Sequence, residues 1–255
     1  CPGLKIIGRG GVGMDNIDVE YAREKGLNVI NTPAASSSSV AELVYAHLFG
    51  GVRFLYDSNR KMPLEGESNF KGLKKAYAKG IELRGKTLGI IGFGRIGQEV
   101  AKIGLGVGMN IIATDKYINT AEIEVSLFNG ASLKVSIETT TMKNVLEQSD
   151  FVSLHVPAQK DYVISQKELS MMKDGSVVIN AARGGIIDEI ALINALDSNK
   201  LAFACLDTFE KEPKPEVKLL MHPKISLTPH IGAATQEAQD RIGVELGEQI
   251  ISILV

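Results

Sequence analysis

Three short stretches set ionisable side chains among glycines and prolines. They are Ala181-Ala182-Arg183-Gly184-Gly185, Asp207-Thr208-Phe209-Glu210-Lys211-Glu212-Pro213 and Pro229-His230-Ile231-Gly232-Ala233-Ala234-Thr235. An arginine can clamp a carboxylate with two parallel bonds and polarise the carbonyl beside it, which a lysine does less well. A histidine exchanges protons near neutral pH, and a carboxylate bonded to it fixes its tautomer and favours its charged form. Arg183, Glu212 and His230 are therefore the residue types that hydride transfer asks of a protein, which orients a small acid and handles its proton while a cofactor carries the electrons. Taken singly, each has an ordinary explanation: a surface ion pair, a solvated loop acid, a satisfied histidine. Their position in the fold is what makes them candidates.

A fourth stretch supplies the cofactor. Leu88-Gly89-Ile90-Ile91 reads as a buried strand, and Gly92, Gly94 and Gly97 spell G-x-G-x-x-G before a helical pattern. The first glycine permits a tight turn, the second lets the backbone approach a pyrophosphate, and the third lets helix and strand pack closely. Arg95 and Ile96 open that helix, where free N–H groups favour an anion. Asp115 ends the next apolar run, about 20 residues beyond the loop, where an acid accepts from a ribose diol and repels a 2′-phosphate. In a chain of 26 glycines the bare pattern is weak, but with its strand, helix and acid it predicts NAD rather than NADP.

The elements that must position these residues alternate. Strands are expected near 4–7, 27–30, 88–91, 110–114, 151–155, 176–180, 202–206 and 225–228, and most are apolar on both faces. Helices are expected near 18–25, from Ser36–Ser39 to about Asn59, and near 95–107, 141–148, 165–172 and 188–197. A final helix follows Thr235. This is the pattern of a doubly wound α/β sheet, a Rossmann-type NAD-binding domain. In such a sheet function gathers beyond the C-terminal strand ends, where all three chemical stretches fall. Gly8, Gly10 and Gly13 make a second G-x-G-x-x-G after a strand, but Ile30-Asn31-Thr32-Pro33 offers no acid at the ribose position. That loop either faces a different ligand or is a plain turn. Residues 60–85 read as irregular and basic (Lys71, Lys74, Lys75, Lys79), either solvated or meeting an anionic substrate or a partner subunit. His47 and His155 read as structural and His222 as solvated.

Composition narrows the classes. The 255 residues, 44% hydrophobic and 23% charged, suit one large or two modest globular domains. A net charge of −2 argues against a nucleic-acid surface. No apolar run is long enough to cross a membrane, and no metal-ligand spacing appears. Cys1 and Cys205 make no disulfide framework, so a reducing, cytoplasmic setting is expected. A buried-looking strand so close to Cys1 predicts a preceding βα portion, because such a strand needs neighbours on both sides. The apolar pattern running into Val255 predicts a few further residues.

The chain resembles the D-isomer-specific 2-hydroxyacid dehydrogenase family along nearly its whole length. The resemblance rests on Ile7 to Asp18 (Ile-Gly-Arg-Gly-Gly-Val-Gly-Met-Asp-Asn-Ile-Asp), Asn31-Thr32-Pro33, Ala41-Glu42-Leu43, Leu83-Arg84-Gly85-Lys86-Thr87-Leu88-Gly89, the 92–97 loop, Asn180 to Asp188, Asp207 to Pro213 and Pro229 to Thr235. It implies that Arg183, Glu212 and His230 are catalytic, and that Gly92, Gly94, Arg95, Ile96, Gly97, Asp115, Pro157, Ala181, Ala182, Asp207, Gly232 and Ala233 hold NAD. It also implies that Val12 and Gly13 N–H groups receive the substrate carboxylate beside Arg183 and His230. The implied architecture is an NAD-binding domain over 37–231 with an incomplete flavodoxin-like substrate domain, made of 1–36 and a helix returning over 232–255. The implied partner is a small 2-hydroxyacid or 2-oxoacid, in a homodimer or higher homo-oligomer. The expected reaction is oxidation of 3-phosphoglycerate to 3-phosphohydroxypyruvate in serine biosynthesis. Glyoxylate or hydroxypyruvate reduction, or NADH sensing without turnover, are the alternatives. Ala158 to Val163 departs from the family's usual Thr-containing pattern.

Overall fold

The computed structural model describes Cys1 and residues 3–254. Its first unit is β1 (Ile6–Arg9), α1 (Val19–Glu24) and β2 (Asn28–Asn31), with the strands parallel and Ile6 opposite Asn28. Asp18 caps α1 by accepting from Tyr21 N–H at 3.0 Å. The first strand begins two residues later than the apolar run suggests. Leu4 is exposed, whereas Gly8 and Arg9 still pair with Ile30 and Asn31.

Two helices follow, α2 (Ser37–Val52) and α3 (Leu55–Ala76). Here the expectation fails: much of the segment read as irregular is helix, interrupted in its φ/ψ only at Asn69. Pro63, Gly66 and Gly72 lower its propensity, and Leu73 is the one side chain of α3 buried among the described residues, so no core-facing stripe announces it. The break after α2 falls at Phe54, whose φ of 54° is left-handed. His47, on α2, is buried, as expected of a structural histidine.

The main sheet is built from β3 (Thr87–Ile91), β4 (Asn110–Thr114), β7 (Phe151–Leu154), β8 (Ser176–Asn180), β9 (Leu201–Leu206) and β10 (Ile225–Leu227). All are parallel, in the order β10-β9-β8-β7-β3-β4. The intervening helices are α4 (Arg95–Val107), α5 (Met142–Gln148), α6 (Gln166–Met171), α7 (Glu189–Asp197) and α8 (Val217–Leu220). One face of the sheet is covered by α5 to α8 through Val145, Leu146, Leu169, Leu192 and Leu219. The other face is covered by α2 and α4 through Val44, Leu48, Val100 and Ala101. This is the doubly wound architecture, and strand order reverses beside β3. Among the described residues no helix is long and apolar enough to cross a membrane.

Between β4 and α5 lies a hairpin that the sequence reading omitted: β5 (Thr120–Ser126) and β6 (Ser132–Glu138), antiparallel, with Ile123 opposite Val135. Its inner face buries Ile123 and Ile137 in the same core as α4, while Glu122, Glu124 and Lys134 face outward. The period-two alternation is plain once the register is known. Its tip, Leu127-Phe128, is exposed. The last helix, α9 (Gln236–Leu254), returns to the first unit, where Gln249 Nε2 donates to Asn31 O at 2.9 Å. Val255 lies outside the described residues.

Docking of the hairpin can be tested by stability. Ile123→Ala should lower unfolding free energy in urea by about 3 kcal/mol through the cavity it leaves. Phe128→Ala at the exposed tip should stay within ~0.5 kcal/mol. Equal effects would show that the hairpin is not anchored through Ile123.

Candidate active site

Beyond the end of β3, the loop Gly92–Gly97 takes a shape that needs glycine at 92 and 97. Gly92 has φ +92°, and a Cβ there would sit 2.5 Å from His155 O. A Cβ on Gly97 would overlap Gly92 O, so helix and strand touch through bare backbone. Gly94 differs: its φ is −72°, and a Cβ would meet nothing within 4 Å. It is the N-cap of α4, and among the described residues no side chain caps that helix, so the first-turn N–H groups of Arg95, Ile96 and Gly97 are left without a protein acceptor. That cradle suits a pyrophosphate. Asp115 accepts from Phe93 N–H at 2.6 Å through Oδ2, and from Tyr117 and Ile118 N–H at 2.8 and 3.1 Å through Oδ1. Three of about four acceptor directions are thus taken. One remains at Oδ2 for a ribose hydroxyl, and the charge opposes a 2′-phosphate. The residues present therefore fit NAD.

The first glycine loop faces the end of β8. Arg183 Nε donates to Asp15 Oδ2 at 2.8 Å, and its Nη1 donates to Ala182 O at 2.7 Å. Its Nη2 lies against Gly13 so closely that any Cβ there would overlap it. A side chain at 13 would displace the guanidinium of an arginine far along the chain. Among the described residues no protein acceptor meets Val12 N–H or Gly13 N–H. The loop itself is tied to the end of β2, where Gly11 N–H donates to Thr32 Oγ1 at 2.8 Å and Asn31 Nδ2 donates to Val12 O at 2.7 Å. Two backbone donors without a protein acceptor thus lie beside a guanidinium edge, residue types that suit a carboxylate.

The arginine loop abuts the loop after β9, because a Cβ on Gly184 would overlap Phe209 O. Phe209 N–H donates to Glu212 Oε1 at 3.0 Å, and Glu212 Oε2 lies 2.8 Å from His230 Nδ1. His230 has φ 55°, a left-handed backbone that a side chain adopts at a cost of about 1 kcal/mol. Asp207, 1% exposed, pins both flanks of that residue. Its Oδ1 accepts from Thr228 Oγ1 at 2.7 Å and Ile231 N–H at 2.8 Å, and its Oδ2 accepts from Gly232 N–H at 2.9 Å. A second brace lies behind: Glu189 and Glu210 exchange carboxylate-to-backbone bonds at 3.1 and 2.8 Å, and burial pushes the Glu189 carboxyl above its usual range.

The other expected residues spread along this rim. Ala181 and Ala182 are buried at the end of β8, with Ala182 N–H on Asn180 Oδ1; Pro157 is exposed; Ala233 is half-buried next to Gly232. His155 forms a 2.8 Å bond through Nε2 with Ser153 Oγ, and its Nδ1 is buried without a partner among the described residues. Burial pushes its pKa down to about 3, so it is a neutral structural ring. His222 is paired with Asp197 at 3.3 Å and its side chain is 8% exposed, not solvated as expected. The sequence reading passed over Asp15, Arg9 and Thr228. Asp15 stands in the first loop's own motif, and Thr228 two residues before His230.

Residues 45–232 match the family described as "D-isomer specific 2-hydroxyacid dehydrogenase, NAD binding domain". Hydroxypyruvate reductase of Thermotoga maritima is 45% identical over 98% of this chain and 78% of its own length. D-3-phosphoglycerate dehydrogenase of Methanocaldococcus jannaschii is 44% identical over 98% of this chain, which spans 46% of that protein. Among solved structures, a glyoxylate reductase from Paecilomyes thermophila superposes with TM-score 0.82 at 34% identity, over 97% of this chain and 71% of that one. D-lactate dehydrogenase from Aquifex aeolicus, complexed with NAD and lactic acid, gives TM-score 0.79 at 31% identity, over 99% and 77%.

The open face of Gly94 yields a clean test. Gly94→Val should leave the thermal midpoint nearly unchanged while weakening NADH binding, read by fluorescence titration, by at least about tenfold, because the branched side chain fills the anion cradle. Unchanged affinity would place the phosphates elsewhere.

Proposed function

This chain belongs to the D-isomer specific 2-hydroxyacid dehydrogenases, NAD-dependent oxidoreductases, and from that membership we propose that Arg183, Glu212 and His230 interconvert a D-2-hydroxyacid and its 2-oxoacid. The observation that carries the reading is the guanidinium of Arg183 held against Gly13, beside two backbone donors that have no acceptor among the described residues. The substrate carboxylate binds Val12 and Gly13 N–H, and Arg183 reaches both it and the C2 oxygen. Bound NAD supplies the hydride acceptor. His230 Nε2 takes the hydroxyl proton as C2 is oxidised and returns it in the reverse direction. Glu212 on Nδ1 sets the ring's orientation and offsets the positive charge that forms. Gly92, Gly94, Arg95, Ile96, Gly97, Asp115, Pro157, Ala181, Ala182, Asp207, Gly232 and Ala233 line the cofactor side. Residues 1–36 and 232–255 form the substrate side, and 37–231 the NAD-binding domain.

The reading extends to 3-phosphoglycerate, oxidised to 3-phosphohydroxypyruvate in serine biosynthesis. Phosphoglycerate dehydrogenases among the relatives support it, as does Arg9, an exposed cation at the end of β1 next to the substrate loop, whose Nη1 donates to Gly10 O at 2.7 Å. The T. maritima relative supports a second reading, hydroxypyruvate reduction on the same residues. Exposed Phe49, Leu55, Tyr56, Leu64 and Phe70 along α2 and α3 support a homodimer through that arm. Free thiols at Cys1 and Cys205 suit a reducing cytoplasm.

His230→Gln and Arg183→Ala should each lower kcat/KM by roughly 10²-fold or more with the thermal midpoint preserved. Near-normal turnover in either would remove that residue from the mechanism, and NADH binding without turnover of any acid by the parent would favour sensing. Arg9→Ala should raise KM for 3-phosphoglycerate by about tenfold, the loss of one charge-assisted contact, and spare hydroxypyruvate. Equal effects on both acids would favour the unphosphorylated substrate.

A further inference from the structure

His47 lies on α2, far in sequence from every residue assigned to the chemistry, yet both its ring nitrogens are engaged at the edge of the site. Nδ1 is 2.7 Å from Ser226 Oγ and Nε2 is 2.9 Å from Thr228 Oγ1. Thr228 Oγ1 in turn lies 2.7 Å from Asp207 Oδ1, and a carboxylate offers no hydrogen. The threonine hydrogen must therefore point at Asp207, and its oxygen must accept from His47 Nε2–H. In the neutral ring Nδ1 is then bare and accepts from Ser226 Oγ–H. A neutral ring satisfies every bond in this chain, and burial lowers the His47 pKa more than the nearby Asp207 charge raises it. The donors run one way, from Ser226 to His47 to Thr228 to Asp207. Asp207 holds the backbone N–H groups of Ile231 and Gly232 on the far side of His230.

We propose that His47, as the neutral Nε2–H tautomer, is a positioning residue for His230, orienting the Thr228 hydroxyl onto Asp207 so that the left-handed backbone at His230 is pinned on both flanks. The role of His230 as acid–base rests on the dehydrogenase reading above; the direction of the donor chain does not. A histidine that merely filled space in α2 would need no particular tautomer and no particular partner at Nε2. Packing and orientation separate by geometry. An asparagine at 47 reaches the position of Nδ1 and keeps Ser226, whereas a glutamine reaches that of Nε2 and keeps a donor for Thr228.

The test compares His47→Asn, His47→Gln, Thr228→Val and the double variant His47→Asn/Thr228→Val with the parent chain. With four histidines in the sequence, the ring nitrogens can be resolved by long-range ¹H–¹⁵N correlation without substrate. Near neutral pH, His47 should show a protonated Nε2 and a bare Nδ1, and Thr228→Val should shift Nε2 while also moving the His230 resonances. Relative to the parent, His47→Asn and Thr228→Val should each lower kcat by roughly tenfold, a fraction of the ~10²–10⁴ that a positioned acid–base contributes. The double variant should be no slower than either single, and His47→Gln should stay within about twofold of the parent. NADH affinity, read by fluorescence, should hold throughout. A protonated Nδ1 on His47, equal losses in the asparagine and glutamine variants, or a double variant that multiplies the two single losses would each overturn the proposal. Should the parent turn over no acid, the dehydrogenase reading falls, while the tautomer and the response of His230 to Thr228→Val still decide for or against the positioning role.

Discussion

Burying Asp207 removes a carboxylate from water, and only strong donors around it offset that cost. The donors it recruits are two backbone N–H groups and one hydroxyl, all from the segment around His230. The same three bonds that keep the carboxylate satisfied hold His230 in a backbone conformation it would otherwise leave. Remove the acid and the Ile231 and Gly232 N–H groups lose their acceptor. Much of the remaining geometry is arranged around this anchor: Glu212 reaches His230 from the next residues after β9, and Phe209 locks that loop against Gly184.

Across the cleft the joining element is Arg183. Its ion pair with Asp15 ties the first βαβ unit to the end of β8, and the absence of a side chain at Gly13 lets the guanidinium lie directly on the first glycine loop. Asp15 is largely exposed, so the pair contributes little to stability. Its effect is orientation: with Nε and Nη1 engaged, the Nη2 edge is presented at Gly13. Helix α9 closes the same side, seating Leu246 against Gly8 and Ile242 against Gly10. Two glycine loops that look alike in sequence therefore have different neighbours. One sits under a helix dipole, the other under a guanidinium.

The central strands of the main sheet were legible because both their faces are buried, which leaves near-continuous apolar runs. Segments that bury one face or none were not. The hairpin β5–β6 alternates Ala121, Ile123 and Val125 with Thr120, Glu122 and Glu124, a short pattern that becomes a strand only with its partner in register. Most of α3 buries so little that its propensity, weakened by Pro63 and two glycines, gave no helical signal. His222 was read as solvated because nothing local predicts that Asp197 and the turn around Lys224 enclose it.

From sequence alone, the local devices of the chain could be read: the strand–glycine–helix loop with its acid at 115, the doubly wound alternation, and the placement of Arg183, Glu212 and His230 at strand ends. These depend on spacing within a few residues, where dihedral preference and hydrophobic period act directly. Tertiary structure alone decided the rest. Asp15 meets Arg183 across 168 positions, and His47 meets Thr228 across 181. Such contacts depend on how helices and loops pack, and no local preference encodes the direction in which a hydroxyl or an imidazole N–H will point.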